Sequence, residues 1–159
     1  MKQRDHTPWD ERAGSALNAR RQLPKLAATY FSRVREILAK EPSPAKLHAA
    51  RLATKRFRYT LELFRSRYGP GLETRLSSLR RVQQALGDVN DCVAARRLIR
   101  KSMAASPLRM RIERFLEDRT AAKVREFRRQ WTEVFDAPGQ EEWWTLYLAR
   151  HARVRARRA

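Results

Sequence analysis

Apolar residues recur every three or four positions along most of the chain, which is the spacing of one face of an α-helix. No stretch alternates apolar and polar positions with many β-branched side chains, as a half-buried strand would. The pattern therefore predicts an all-α fold, an antiparallel bundle of four long helices plus a short C-terminal helix. Nothing in the sequence marks a second domain, so residues 1–159 are predicted to form one domain.

The first predicted helix begins close to the N-terminus and ends before residue 42. Thr7 is its expected N-cap, with Pro8 in the first turn. Pro24 lies inside this helix, and a proline removes one backbone hydrogen bond from a helix interior. We therefore expect a kink or a break near residues 21–23.

The second and third helices are separated by the turn Gly69-Pro70-Gly71. Ser43 is the expected N-cap of the second helix and Pro44 its first residue, and the apolar pattern continues to Tyr68. In the third helix, Gly87-Asp88 marks a position where the helix could kink.

Two later boundaries are equally clear. Ser106-Pro107 is expected to begin the fourth helix, and the turn Ala137-Pro138-Gly139 leads into the short fifth helix. The fifth helix contains Trp143-Trp144, a pair that we expect in the core or in an interface. Residues 150–159 are strongly basic and are expected to fray.

The second helix has a row of positive charge along one side. Its four members recur at steps of three, four and three, so they fall within a stripe about 80° wide. They are His48, Arg51, Lys55 and Arg58. From Lys46 to Leu72 the only acid is Glu62, so the helix is not expected to neutralise its own row.

Apolar residues lie on both sides of this row. The expected core-facing ridge consists of Ala50, Ala53, Phe57, Leu61, Phe64 and Tyr68. A second apolar row, Leu52, Tyr59 and Leu63, flanks the charged stripe on its other side. We therefore expect the helix to pack against two neighbours, with the cations lining a groove between them.

The overall charge, like the row on the second helix, indicates an anionic partner. The chain has 36 Lys and Arg against 17 Asp and Glu, a formal net charge of +19. A folded domain this basic typically binds a polyanion, which can be nucleic acid, an anionic membrane or another phosphate polymer. Hydrophobic residues make up 42% of the chain, enough for a folded core.

Other classes of function have little support. Cys92 is the only cysteine, which excludes an internal disulfide and a cysteine-rich metal site. The three histidines are far apart, and there is no glycine-rich phosphate loop or nucleophile elbow, so we expect no enzyme activity, cofactor or metal. The polar N-terminus and the lack of a long apolar run favour a soluble, cytoplasmic protein without a membrane segment.

Two stretches resemble one protein family. Residues 47–62 contain His48-x-x-Arg51-x-x-x-Lys55-Arg56-x-Arg58-Tyr59, which resembles the signature of CHAD domains, the conserved-histidine α-helical domains. Residues 79–91 contain Gln83-x-x-Leu86-Gly87-x-x-x-Asp91, which resembles a second element of that family. The two elements occur in the family's order and are joined by the expected glycine-rich turn.

The resemblance implies a module that binds inorganic polyphosphate and has no catalytic activity. Family members are usually longer and contain the histidine motif in two related bundles, whereas this sequence has one copy, most like the second half. A complete groove would then need a second chain, which favours a homodimer. The alternative is a monomer whose fourth and fifth helices cover the second apolar row and leave the cations open to water.

The expected binding residues are the four members of the row, with Arg56 and Arg80 assisting. Arg56 points about 100° away from the row, so the resemblance alone includes it. Arg80 is equally consistent with a plain surface position, and Tyr59 with a core residue or a phosphate contact. Gln83 and Asn90 are expected to be partly buried and, with Asp91, to tie helices together or pair with arginine. The main alternative function is binding of nucleic acid without sequence preference through phosphate contacts alone.

Overall fold

Helices make up most of the protein in the computed structural model, which describes residues 9–153. The α-helices are α1 Ser15–Leu38, α2 Pro44–Leu63, α3 Arg65–Tyr68, α4 Pro70–Ser102, α5 Pro107–Gln130 and α6 Gln140–Arg150. A π-helical turn, Trp131–Phe135, lies between α5 and α6. No strand occurs within the described residues, and the all-α prediction is confirmed.

The N-terminal prediction is wrong in its details. Thr7 and Pro8 lie outside the described residues, but residues 9–14 are not helical and α1 begins only at Ser15. The buried side chain of Asn18 explains the late start. Its Nδ2 donates to the carbonyl oxygens of Asp10 and Ala13, and its Oδ1 accepts from the Asp10 amide at 3.0 Å. These bonds hold a turn where a helix was expected.

Three other predicted features of the helices also differ. α1 continues through Pro24, because Leu23 and Ala27 on either side of it are buried in the core and hold the helix in place. α4 is continuous through Gly87. The helix predicted to reach Tyr68 instead stops at Leu63, where Phe64 leaves helical geometry, and only the short α3 follows.

The core is centred on a cluster of aromatic side chains from α1, α2, the π-helical turn and α6. The cluster consists of Tyr30, Phe31, Phe57, Trp131, Phe135 and Trp144, all buried. The Tyr30 and Phe57 rings lie 4.7 Å apart, and Trp131 stacks on Phe135 at 4.9 Å. The Tyr30 hydroxyl lies 2.9 Å from Thr54 Oγ1, and burial raises the pKa of this phenol well above its ordinary value. The cluster therefore fixes α2 on α1.

A buried arginine joins α4 to α6. The Arg75 guanidinium carbon lies 3.3 Å from the Trp143 ring centroid and 3.5 Å from that of Tyr147, so the cation is held between two rings. Burial lowers the pKa of Arg75 to about 10, which leaves it charged at neutral pH. Gly71 lies beside this contact, and a Cβ there would come within 2.8 Å of the Tyr147 hydroxyl oxygen. Trp144 is thus a core residue, whereas Trp143 is half exposed and covers Arg75.

The far ends of α4 and α5 form a thinly packed hairpin over residues 93–123, none of which is buried. Ion pairs join its helices, with Arg96 contacting Glu117 and Arg100 Nε lying 2.9 Å from Glu113. Leu98 and Phe115 are largely exposed on it. The tightly packed part of the molecule is therefore the bundle that contains α2.

Candidate anion-binding site

The start of α2 places the charged row. Ser43 caps the helix, with its side chain accepting a hydrogen bond from the Lys46 amide at 3.4 Å, and Pro44 is the first helical residue. His48 consequently lies in the second turn, on the side that faces α4. The predicted helix start is confirmed.

The inner face of α2 is confirmed as a core-facing ridge. Ala50, Phe57 and Leu61 are buried, and Ala53 and Phe64 pack partly buried against the core. Tyr68 is also buried, on the separate helix α3.

The second apolar row is not covered, contrary to the expectation of neighbours on both flanks. Leu52 is 50% exposed, Tyr59 48% and Leu63 80%. The reason is that α2 packs on α1 and α4 through one face. Its buried residues recur at steps of three and four, namely Leu47, Ala50, Thr54, Phe57 and Leu61. The cations therefore lie along the seam between α2 and α4, and the outer apolar row lies beyond them at the surface. Tyr59 is not a core residue.

Three members of the row, His48, Arg51 and Lys55, form what we call the open half. His48 is exposed, and its Nδ1 lies 3.2 Å from Asn90 Oδ1 on α4. Arg51 is half-buried, and its Nε is buried without a hydrogen-bond acceptor. Lys55 Nζ lies 5.9 Å from the Tyr59 ring centroid. Within residues 9–153, none of the three forms an ion pair with a carboxylate.

Arg58 and Arg80 form the paired half. Arg58 donates from Nε to Gln83 Oε1 at 2.9 Å, contacts Glu62, and lies over the Tyr59 ring at 4.4 Å. The expectation that α2 leaves its own row unneutralised is therefore wrong for Arg58. Glu62 stands four residues further along the same helix, where an ion pair forms readily.

Arg80 connects this pair to a second carboxylate. Its Nη1 lies 2.8 Å from Glu73 Oε1 and its Nη2 lies 3.8 Å from Glu62 Oε1. Arg65 Nη2 also approaches Glu73, at 2.6 Å. The hydrogen bond from Arg80, together with the nearby charge of Arg65, lowers the pKa of the Glu73 carboxyl.

The remaining predicted residues divide between the seam and the surface. Gln83 and Asn90 are half-buried and connect α4 to α2, as expected. Arg56 and Asp91 are exposed. The structure brings Arg80 close to the end of the row and leaves Arg56 outside it.

Sequence reasoning missed two residues near the row. Glu73 pairs with Arg80, and Arg97 lines a cavity of about 430 Å³ together with His48 and Asn90. Arg97 could have been found, because it follows Gln83 and Asn90 at the same seven-residue spacing on α4. Glu73 precedes Arg80 by the same seven residues, but this spacing predicts a shared side of the helix and not an ion pair.

Comparison with known families identifies the class of protein. The CHAD domain model matches residues 2–100, which is more than half of the chain. The chain therefore belongs to the CHAD domain family. The matched region contains α1, α2, α3 and most of α4, and so every residue predicted for the site. Searches of curated proteins and of solved structures gave no match.

In residues 9–153, no group of three or more His, Cys, Asp and Glu side chains is arranged to hold a metal ion. None of the helices in that range combines the length and apolar character needed to cross a membrane.

Proposed function

We propose that this CHAD-domain protein binds inorganic polyphosphate, without catalysis, along the seam between α2 and α4. The observation that carries the proposal is the open half of the row, where three basic side chains lie on one stripe without a carboxylate partner in the described residues. Arg51 is the most telling, because its Nε is buried and has no acceptor, and no carboxylate or ring partner is found for it in residues 9–153. Arg75, Arg96 and Arg109 also have a buried Nε without an acceptor, but the first lies between two rings and the other two pair with glutamates. Buried polar groups normally have hydrogen-bond partners, and a phosphate oxygen would supply one here.

The spacing of the row suits a linear chain of charges. An α-helix rises 1.5 Å per residue, so the steps of three and four residues place a basic group roughly every 5 Å. An arginine fork can bridge phosphate oxygens, whereas lysine acts as a mobile point charge. Polyphosphate has repeated negative charge and no bases, so it requires nothing beyond such a row.

Nucleic acid is the competing ligand, and one feature favours it. Tyr59 is half exposed beside Lys55 and Arg58, where a base could stack on its ring. A competition assay decides between the two ligands. It measures how well single-stranded and double-stranded DNA displace labelled long-chain polyphosphate at equal phosphate and salt concentrations. Tighter binding of polyphosphate is expected, and equal or tighter binding of DNA would favour the nucleic-acid function instead.

A matched pair of variants then tests the surface. Arg51→Ala/Lys55→Ala removes two charges from the open half, and Arg125→Ala/Arg129→Ala removes two exposed charges from α5, whose main partner is α4. The first variant is expected to lose about tenfold or more in affinity and to flatten the dependence of log K on log salt. Equal losses in both variants would show that overall charge, rather than this surface, determines affinity.

We also propose a twofold homodimer that covers the outer apolar row of Leu52, Tyr59 and Leu63. Leu63 is 80% exposed, and exposed apolar side chains grouped beside a charged groove are typical of an interface. Such a dimer would bring two basic rows together, so it should be weak at low salt and stabilised by polyphosphate. Light scattering with and without polyphosphate tests it, and a monomeric mass in both conditions at high protein concentration would exclude it.

A further inference from the structure

The paired half of the row is occupied by the protein's own carboxylates. Glu62 contacts Arg58 and lies near Arg80, and Glu73 contacts Arg80 and Arg65. Three arginines therefore share two carboxylates. The open half, by contrast, has no carboxylate partner in residues 9–153.

The two halves are continuous along α2. Arg58 lies three residues beyond Lys55 on the same stripe, so a ligand that extends along the open half next reaches Arg58. There it meets the Arg58 guanidinium, whose Nη1 is engaged by Glu62 and whose Nε is engaged by Gln83. A phosphate oxygen and the Glu62 carboxylate would compete for the same charge-assisted hydrogen bonds.

The carboxylates are also accessible enough to be displaced. The side chains of Glu62 and Glu73 are 30% and 37% exposed. The pair between Arg80 and Glu73 is accessible on both sides, and such a pair is individually weak. In the pair between Arg58 and Glu62 the arginine is largely covered, so the carboxylate is the partner that can leave. A polyanion held on the open half presents its next phosphates at high effective concentration, which a separate small anion cannot do.

We propose that Glu62 and Glu73 form a carboxylate latch that engages Arg58 and Arg80 in the free protein and yields to a polyanion already bound at the open half. This inference rests on the proposed function of the row. A short anion occupies the open half alone, whereas a long chain displaces the latch and gains Arg58 and Arg80. Glu62 and Glu73 thus determine how strongly the protein prefers long chains to short ones.

The latch acts through specific arginines, so a double-mutant cycle tests it. Affinities for tripolyphosphate and long-chain polyphosphate are measured by calorimetry for the wild type, Glu62→Gln, Arg58→Gln and the double variant. Glu62→Gln is expected to bind long-chain polyphosphate about fivefold more tightly, and this gain should disappear when Arg58 is also Gln. Asp91→Asn is the matched control, because it removes one exposed negative charge from α4 without touching the pairs. It should change affinity by less than about twofold.

A second cycle, Glu73→Gln with Arg80→Gln, tests the latch at an exposed arginine, in case a variant at Arg58 fails to fold. Arg58 is largely covered, but the Arg80 side chain is 44% exposed, so its replacement leaves the fold intact. The latch is overturned if Glu62→Gln gives no gain, if the gain persists without Arg58, or if Asp91→Asn gains as much. A wild-type protein that prefers DNA would refute the polyphosphate proposal alone. The same cycles, with affinities measured for DNA, would then still test whether the latch exists. A protein that binds neither polyanion refutes both.

Discussion

The two faces of α2 differ in how fully the rest of the protein buries their side chains and pairs with them. The inner face is filled by Ala50, Phe57 and Leu61, all at most 1% exposed, and Thr54 is hydrogen-bonded to Tyr30. The outer face has Arg51 and Lys55, half-buried and without an ion pair in the described residues, beside the exposed Leu52. Packing in the folded core explains the residues of the inner face, but it does not explain the cations of the outer face.

This difference separates stability from binding within a single helix. Like charges three and four residues apart on a helix repel one another, so the outer row costs a little stability rather than adding to it. Substitutions on the inner face should therefore affect unfolding, and substitutions in the open half should affect ligand binding. The following predictions test that separation, from the largest expected effect to the smallest.

Phe57→Ala should lower the free energy of unfolding by about 3–5 kcal/mol, because it removes a buried ring from the aromatic cluster. Urea denaturation followed by circular dichroism measures this change. Leu52→Ala, on the exposed side of the same helix, is the control and should change it by less than about 0.5 kcal/mol at low protein concentration, where the proposed homodimer is dissociated. Similar losses in the two variants would remove the distinction between the faces.

Thr54→Val should cost about 1–3 kcal/mol, because it leaves the buried Tyr30 hydroxyl without its side-chain partner. Adding Tyr30→Phe removes the unpaired hydroxyl as well, so the double variant should recover part of the loss. Denaturation of the three variants completes the cycle. Strictly additive losses would mean that the hydrogen bond between Thr54 and Tyr30 contributes nothing specific.

Arg51→Met should leave the free energy of unfolding unchanged or raise it by up to about 0.5 kcal/mol, because it removes a buried nitrogen that has no acceptor. Polyphosphate should raise the melting temperature of the wild type but that of this variant much less, since a ligand stabilises in proportion to its binding. Differential scanning calorimetry with and without polyphosphate gives both values. Marked destabilisation of the free variant would place Arg51 among the residues that hold the fold.

His48→Gln tests the smallest effect, the response of binding to pH. A histidine in contact with phosphate binds it better when protonated, so wild-type affinity should be modestly higher in acidic than in neutral buffer. The contact from Nδ1 to Asn90 leaves Nε2 free to donate to phosphate in the protonated ring. The variant should lose most of this dependence in a titration series, and an unchanged pH profile would assign the response to another group.

Local sequence signals predicted much of α2 and of its contacts with α4 correctly. Ser43-Pro44 and Ser106-Pro107 begin helices where expected, because a capping side chain and a proline at the first position act within a few residues. The seam amides Gln83 and Asn90 were also predictable, since seven-residue spacing returns a helix to nearly the same side.

What the sequence could not predict depends on contacts between distant segments. Asn18 holds a turn before α1, and core packing on either side of Pro24 keeps α1 continuous, although local rules favoured the opposite in both places. Leu63 fits an apolar row, yet whether any neighbour covers it depends on how α1 and α4 meet α2. Glu73 and Arg80 are seven residues apart, so the spacing places them on nearly the same side of α4, but it does not say whether their side chains meet across two turns.

The enclosure of Arg75 by Trp143 and Tyr147 makes one junction of this highly charged protein insensitive to ions in solution. Salt screens exposed ion pairs, and a polyanion competes for arginines that are held only by carboxylates. Arg75 is 4% exposed and its charge faces the surfaces of two rings, so neither influence reaches it readily. The attachment of α6 to α4 should consequently have the same strength in dilute buffer, in concentrated salt and in the presence of a bound phosphate polymer.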